Sequence, residues 1–291
     1  MNTLKYVSPI YSNEIIESKV VHIRSQKKKR IAFGWYGGKF SHLDWLLPLL
    51  PECHHYCEPF AGSAAVLLNK KPSAVETYND IDGEVVNFFK TLRNKPAELE
   101  RQIALTPFSR EELHVAVNGN KADITDVERA RRFYVRARQT RTGLAQTSSV
   151  GRWANCKETS RAGMSGAVSR WLGGIDQLKD IAQRLVRVQI ENRPAIDVIK
   201  LYDSNKTLFY CDPPYVHATR GDKKAYKFEM NDQEHIELGK TLNKIKGNAA
   251  ISGYRCELMD KIYKNWNRFD APIKTTHTTK EKRQECLWMN F

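Results

Sequence analysis

Two apolar patterns alternate along this chain: short apolar runs closed by turn signals, and stretches where apolar residues recur every three or four positions. Tyr56-Cys57-Glu58-Pro59-Phe60 reads as a short strand ending at Pro59, Ala61-Gly62-Ser63 as a tight turn, and residues 64–68 as the start of a helix. A second strand over residues 74–78 ends on Asn79-Asp80-Ile81-Asp82, and a helix through Val85, Val86, Phe88 and Phe89 follows. Upstream, a glycine-rich loop, Phe33-Gly34-Trp35-Tyr36-Gly37-Gly38-Lys39, precedes Leu43, Leu46, Leu47 and Leu50 at helical spacing, a helix that Pro48 and Pro51 end. Strands return over residues 185–190, 207–211 and 249–252. This rhythm predicts an α/β fold with a doubly wound sheet.

The stretch from about 107 to 171 breaks the rhythm. It holds an arginine-dense helix with Arg129, Arg131, Arg132, Arg136, Arg138 and Arg141, then a Gly/Ser/Thr-rich segment over 142–174 with Trp153 and Trp171. Without periodicity it is a poor sheet candidate and reads as an insertion in the α/β domain. The expected division is a basic N-terminal extension over 1–30, a catalytic domain over 31–100 and 176–291, and a mostly helical insertion over 101–175.

Composition narrows the class. A chain of 291 residues, 41% hydrophobic and 27% charged, is long enough to bury one substantial core. Lys and Arg total 47 against 33 Asp and Glu, a formal +14, and such a surplus attracts polyanions. Nucleic acid fits better than a membrane surface, because neither a basic amphipathic helix nor a lipidation motif is evident. With no spanning apolar run and no secretory signal, a cytoplasmic location is expected. The six cysteines are then expected to be reduced. Cys53-His54-His55-Tyr56-Cys57 lacks the second ligand pair of a zinc site and reads as core thiols, so no metal is expected.

The strongest chemical signal is Asp212-Pro213-Pro214-Tyr215, set directly after the apolar strand that ends at Cys211. In open α/β sheets ligands bind beyond the carboxyl ends of strands. A rigid turn is the plain alternative. An adenine amino nitrogen is a poor nucleophile because its lone pair is delocalised into the ring. A carboxylate accepting one of its protons, and a backbone carbonyl fixed by proline accepting the other, raise the electron density on that nitrogen. Tyr215 offers an aromatic face to a base extruded from the duplex. Glu58-Pro59-Phe60-Ala61-Gly62-Ser63 adds a glycine turn where a ligand approaches the backbone. Asp80, at the next strand end, suits either ribose hydroxyls or the N-cap of the following helix.

Tyr36-Gly37-Gly38-Lys39, Glu58-Pro59-Phe60-Ala61-Gly62, Asn79-Asp80-Ile81-Asp82 and Asp212-Pro213-Pro214-Tyr215, in that order, resemble the Dam-type (alpha-group) adenine-specific DNA methyltransferases. The resemblance implies a Rossmann-like class I methyltransferase sheet with helices on both faces, and S-adenosyl-L-methionine as cofactor. It places Trp35, Tyr36, Gly38 and Lys39 at the cofactor's methionine part, and Glu58, Phe60 and Gly62 along its site. Asp80 would hold the ribose, Asp197 would lie beside the cofactor's adenine, and Asp212 would border both ligands. It also makes the insertion a DNA target-recognition domain. Arg132, Arg136, Arg138 and Arg141, with Arg220 further on, would then contact DNA, as acids are scarce along the helix with Glu128 nearly alone; a salt-bridged face is the alternative. After the catalytic loop, Arg220, Lys223, Lys224 and Tyr226 read as a flap near the substrate or as an ordinary exposed loop. One departure is Ala64, where the family often has a second glycine; alanine is small enough to keep helix-to-strand packing.

The implied partner is double-stranded DNA, joined by a cognate restriction endonuclease if the enzyme is half of a restriction–modification pair, and the expected state is a monomer or weak dimer. Two other functions fit less well: methylation of an RNA base or a cytosine amino group, and a catalytically silent DNA-binding relative. Cytosine-directed relatives more often carry Ser in place of Asp212. Intact Asp212 and Lys39 weigh against a silent relative.

Overall fold

The computed structural model describes residues 29–120, 122–141, 145–220, 226–273 and 284–291. Most of the expected N-terminal extension, and Lys223 and Lys224 of the expected flap, lie outside the described residues. The strands are β1 (His55–Glu58), β2 (Val75–Asn79), β3 (Ser160–Arg161), β4 (Met164–Ser165), β5 (Gln189–Glu191), β6 (Thr207–Cys211), β7 (Asn248–Tyr254), β8 (Asn267–Asp270) and β9 (Glu285–Met289). The helices are α1 (Leu43–Leu46), α2 (Ala65–Asn69), α3 (Gly83–Asn94), α4 (Pro96–Ala104), α5 (Arg110–Asn118), α6 (Asp126–Gln139), α7 (Gly166–Ile175), α8 (Leu178–Leu185), α9 (Ala195–Tyr202), α10 (Asp232–Leu242) and α11 (Glu257–Ile262). No described helix is long and apolar enough to cross a membrane.

A seven-stranded sheet runs in the order β5-β2-β1-β6-β7-β9-β8. The first five strands are parallel, and β9 is antiparallel to both β7 and β8. This is the doubly wound, Rossmann-like sheet that the sequence predicts. Its central strands are near-continuous apolar runs because helices cover both faces. Successive side chains still alternate: Tyr56, Leu208, Tyr210 and Ala250 enter one apolar cluster with α3, α6 and α8, whereas Cys57, Phe209, Cys211, Ala249 and Ile251 enter another with α9 and α10. The chain leaves β1 toward β2 in one direction and β6 toward β7 in the other. The crevice opens at this reversal, beyond the carboxyl ends of β1 and β6.

The local turns differ instructively from the simplest reading. Gly62 has φ +48°, and Ala64, the N-cap of α2, also lies in the left-handed region at φ 56°, ψ 26°. An alanine there costs about 1–2 kcal/mol relative to an ordinary backbone conformation. The departure at Ala64 is therefore a matter of backbone strain as well as packing. Asp82, rather than Asp80, caps α3 by accepting the Glu84 amide at 3.1 Å. Asp80 accepts from the amides of Gly62 and Asp82, each at 2.9 Å, and so ties the glycine turn to the end of β2.

The strand expected over 185–190 is shorter and later, because Leu185 ends α8 and the pairing begins at Gln189. Within the expected insertion, α6 packs along α3, and Leu99, Ile103, Leu113, Phe133 and Trp171 share the apolar cluster of Tyr56 and Tyr78. Phe88 of α3 stacks on Tyr134 of α6 at 5.6 Å. The helices of 96–139 thus extend the catalytic core. The polar chain beyond them forms the exposed β3–β4 hairpin, whose two-residue strands carry no period that sequence could reveal.

Candidate active site

The crevice is a cavity of about 570 Å³, within the range of small-molecule sites. The glycine-rich loop brings Trp35, Tyr36, Gly38 and Lys39 to it; β1 and its turn bring Glu58, Phe60 and Gly62; β2 brings Asp80, and β6 brings Asp212 and Pro214. One wall thus gathers four motifs that lie far apart in sequence. Three expected residues stand off it. Pro213 and Tyr215 are not among its lining, and Asp197 is exposed on the first turn of α9 while Pro194, Ala195 and Ile196 face the cavity.

Gly62 has a specific reason to be glycine. A Cβ there would lie 2.7 Å from the Trp35 indole nitrogen, on a backbone already at positive φ. Trp35 rests on the turn, and the cavity floor stays bare backbone.

Lys39 is the electrostatic centre. Its ammonium is buried and lies 2.6 Å from Asp212 Oδ1 and 2.8 Å from Oδ2. It also donates to the Gly37 carbonyl at 2.7 Å and sits 3.3 Å from Glu285 Oε1. Burial alone would pull the ammonium's pKa down, but the two carboxylates outweigh it and hold the pKa above the usual lysine value. Burial pushes the Asp212 carboxyl up to about 6, against the pull of Lys39. Burial likewise lifts Asp80 to about 6 and Glu58 to about 8, although the Tyr56 hydroxyl donates to Glu58 at 2.7 Å.

Tyr215 is placed differently from the expectation. Its hydroxyl donates to Glu285, its ring meets Tyr254 edge-on at 4.9 Å, and the Lys39 ammonium lies 5.0 Å from its centroid. The stacking face expected of it is covered in this arrangement. The aromatic rings that do reach the cavity are those of Trp35, Tyr36, Phe60, Tyr210, Tyr226 and Phe228.

Two residues, Glu285 and His235, escaped the sequence reading. Glu285, on the last strand, carries no motif and reaches the site only because β9 inserts beside β7. His235 on α10 is buried, and burial lowers the pKa of its ring, partly offset by the Pro214 carbonyl beside it. Tyr226 lines the cavity and meets Tyr36 edge-to-face at 5.3 Å, which favours the flap over the exposed-loop alternative. Arg220 is buried, is bound to Glu229 and stacks over the Tyr226 ring.

The expected DNA-contacting arginines are engaged within the protein. Arg132 donates to Glu128 at 2.7 Å, and Arg136 to Glu84 at 2.9 Å. Arg138 donates to the Arg170 carbonyl and Arg141 to Asn155. The scarcity of acids was a property of the helix's own sequence; Glu84 arrives from α3, and Glu112 from α5 binds Arg131. The salt-bridged alternative describes Arg131, Arg132 and Arg136 as they stand. Among the described residues no three potential metal ligands converge; Cys53 meets Ser73, and Cys57 is buried in the core.

The crystal structure of SMU.472 complexed with SAH aligns over 70% of this chain and 55% of its own at 13% identity. Its TM-score of 0.25 is too low to carry an argument. DNA adenine methylases of two Vibrio cholerae serotype O1 strains are 36% identical over 72 residues, 24% of this chain. That stretch spans only 25% of those relatives' length. The family of D12 class N6 adenine-specific DNA methyltransferases matches residues 35–283, nearly the whole described fold, and the chain belongs to that family.

Proposed function

We propose that the protein transfers a methyl group from S-adenosyl-L-methionine to the exocyclic amino group of an adenine extruded from double-stranded DNA. The observation that carries this reading is the convergence of Lys39, Glu58, Gly62, Asp80 and Asp212 on one cavity at the reversal of strand order.

The cavity suits the cofactor. Asp80 spends one lone pair of each oxygen on backbone amides and keeps acceptor capacity for ribose hydroxyls. The bare backbone at Gly62 admits close approach, Phe60, Ile81 and Ile196 offer apolar surface, and Lys39 with Asp212 matches the charged ends of an amino acid. Bound there, the cofactor supplies an electrophilic methyl on a sulfonium.

The chain's own residues would do the rest. Asp212 accepts a hydrogen bond from one proton of the target amino group, and the Pro213 carbonyl accepts from the other. When the nitrogen gains its methyl it must shed a proton, and the Asp212 carboxylate, with its pKa raised to about 6, is a better acceptor than an ordinary aspartate. The formal +14 favours a polyanionic substrate. Target reading falls on the 101–175 segment, whose polar, hairpin-bearing part stands clear of the core.

Expression in cells that lack adenine methylation, with modified-base sequencing of their DNA, tests the reading. Methylated adenines at one short motif, absent with Asp212→Ala, are expected. Unmodified DNA from well-expressed protein would overturn it.

A further inference from the structure

Each Asp212 oxygen keeps a lone pair while it holds Lys39, but the ammonium neutralises the charge that would draw on an incoming amino group. Lys39 cannot leave unless another anion receives it. A buried ammonium without a counter-ion is too costly to persist. The structure contains that second anion. Glu285 Oε1 is 3.3 Å from Lys39 Nζ, and the carboxylate is itself buried and held by the Tyr215 hydroxyl. It enters from β9, where it pairs across from Tyr254, the residue packed edge-on against Tyr215.

We propose that Glu285 is a positioning residue for the transfer: it is the alternative counter-ion that lets the Lys39 ammonium shift away from Asp212 and leaves that carboxylate's negative charge to the target amino group. Two carboxylates share one ammonium in this cluster. With Lys39 drawn to Glu285, those two neutralise each other and Asp212 keeps its full negative charge for the base. The Lys39 bond to the Gly37 carbonyl, 2.7 Å, gives the ammonium a fixed point about which to move. This inference rests on the methyltransferase reading above.

Single-turnover methylation of a duplex carrying the identified motif, followed across pH, tests it. Asp212 faces Lys39 from the glycine-rich loop, Tyr215 from its own loop and Glu285 from β9, with Glu58, Tyr210 and Tyr226 nearby. Glu285→Gln retains an acceptor for the Tyr215 hydroxyl but not the charge. It is expected to lower the rate about tenfold or more at an unchanged thermal midpoint and nearly unchanged KM for DNA. The acid limb of its pH profile should move to lower pH, since Glu285 no longer opposes ionisation of Asp212. Glu285→Asp, which keeps the charge at shorter reach, should slow transfer while leaving the limb in place. Wild-type rate and limb in Glu285→Gln would overturn the assignment and leave the function standing, as would a wild-type rate in Glu285→Asp should the Gln variant fail to fold. No transfer by the wild-type protein would overturn both.

Discussion

The Lys39 ammonium lies 2.6 Å from Asp212 Oδ1, across 173 residues of sequence, and so joins the glycine-rich loop to the end of β6. In the proposed transfer this pair sets a pH dependence. Ionised Asp212 is the stronger acceptor and the only form that can take up the amino proton, and burial has raised its pKa to about 6. Methylation should therefore hold steady above pH 7 and fall as the pH drops through about 6. Lys39→Met removes the main influence that opposes that rise, so the acid limb should move to higher pH. It also strands two carboxylates, and a loss of roughly 100-fold in rate at pH 7 is expected, on the scale of ~3 kcal/mol for a broken buried pair. A limb that stays in place in Lys39→Met would refute the pairing as the cause.

Glu58 yields a stability prediction of definite sign. Its folded pKa is raised to about 8 from an ordinary 4.5, mainly by burial. The folded state therefore holds a proton that the unfolded chain releases. That stability is fully present below about pH 4.5 and is lost as the pH rises through 8. Glu58→Gln does not titrate and still accepts from Tyr56. Its stability relative to wild type should rise by up to roughly 1.4 kcal/mol per pH unit across that window. Urea midpoints measured at pH 5 and pH 8.5 check this; parallel behaviour of the two proteins would refute it.

Ala64 occupies a left-handed conformation at φ 56° that glycine adopts freely. Ala64→Gly should relieve about 1–2 kcal/mol of strain and give back roughly half of that through the greater freedom of the unfolded chain. A net gain of about 0.5–1 kcal/mol, or ~1–3 °C in Tm, is expected for a domain of this size. A lower Tm in calorimetry would mean that the Ala64 methyl's burial outweighs its backbone strain.

What sequence reveals here follows the range of the interactions. Glu58, Gly62, Asp80 and Asp212 were legible because each sits at the end of an apolar run, and a strand end followed by a turn is a local signal. Ala64 was visible as a departure, but its cost lies in a backbone angle that no residue type announces. Glu285 and His235 were not legible. Glu285 reaches Tyr215 across 70 residues through an antiparallel strand slotted between β7 and β8, and His235 looks like one more helical polar residue until α10 packs under Pro214. The pairing of Arg131, Arg132 and Arg136 was not legible for the same reason, because their carboxylates come from α3 and α5 as well as from the helix itself.

That pairing separates two roles for the arginines of α6. Arg136 is largely buried, donates to Glu84 and to the Ala116 carbonyl, and lies near the α3–α6 packing that carries Phe88 and Phe133. Arg136→Ala would leave Glu84 to Arg129 alone and take a donor from the Ala116 carbonyl, at a cost of about 1–2 kcal/mol in stability. Arg132, bound to Glu128 and the Asn120 carbonyl, should behave similarly but more weakly, since one of its bonds is exposed. Neither change should alter how DNA affinity depends on salt, because an arginine already neutralised by a carboxylate releases few counterions from DNA. Arg138 is bound to a carbonyl oxygen, a partner that carries no compensating charge. Replacing it with Ala should lessen the slope of log affinity against log salt by about one, with little loss of stability. Fluorescence anisotropy on a duplex at several salt concentrations, alongside melting curves, distinguishes it from Arg132 and Arg136. A reduced slope in Arg136→Ala at wild-type stability would return that residue to the DNA interface.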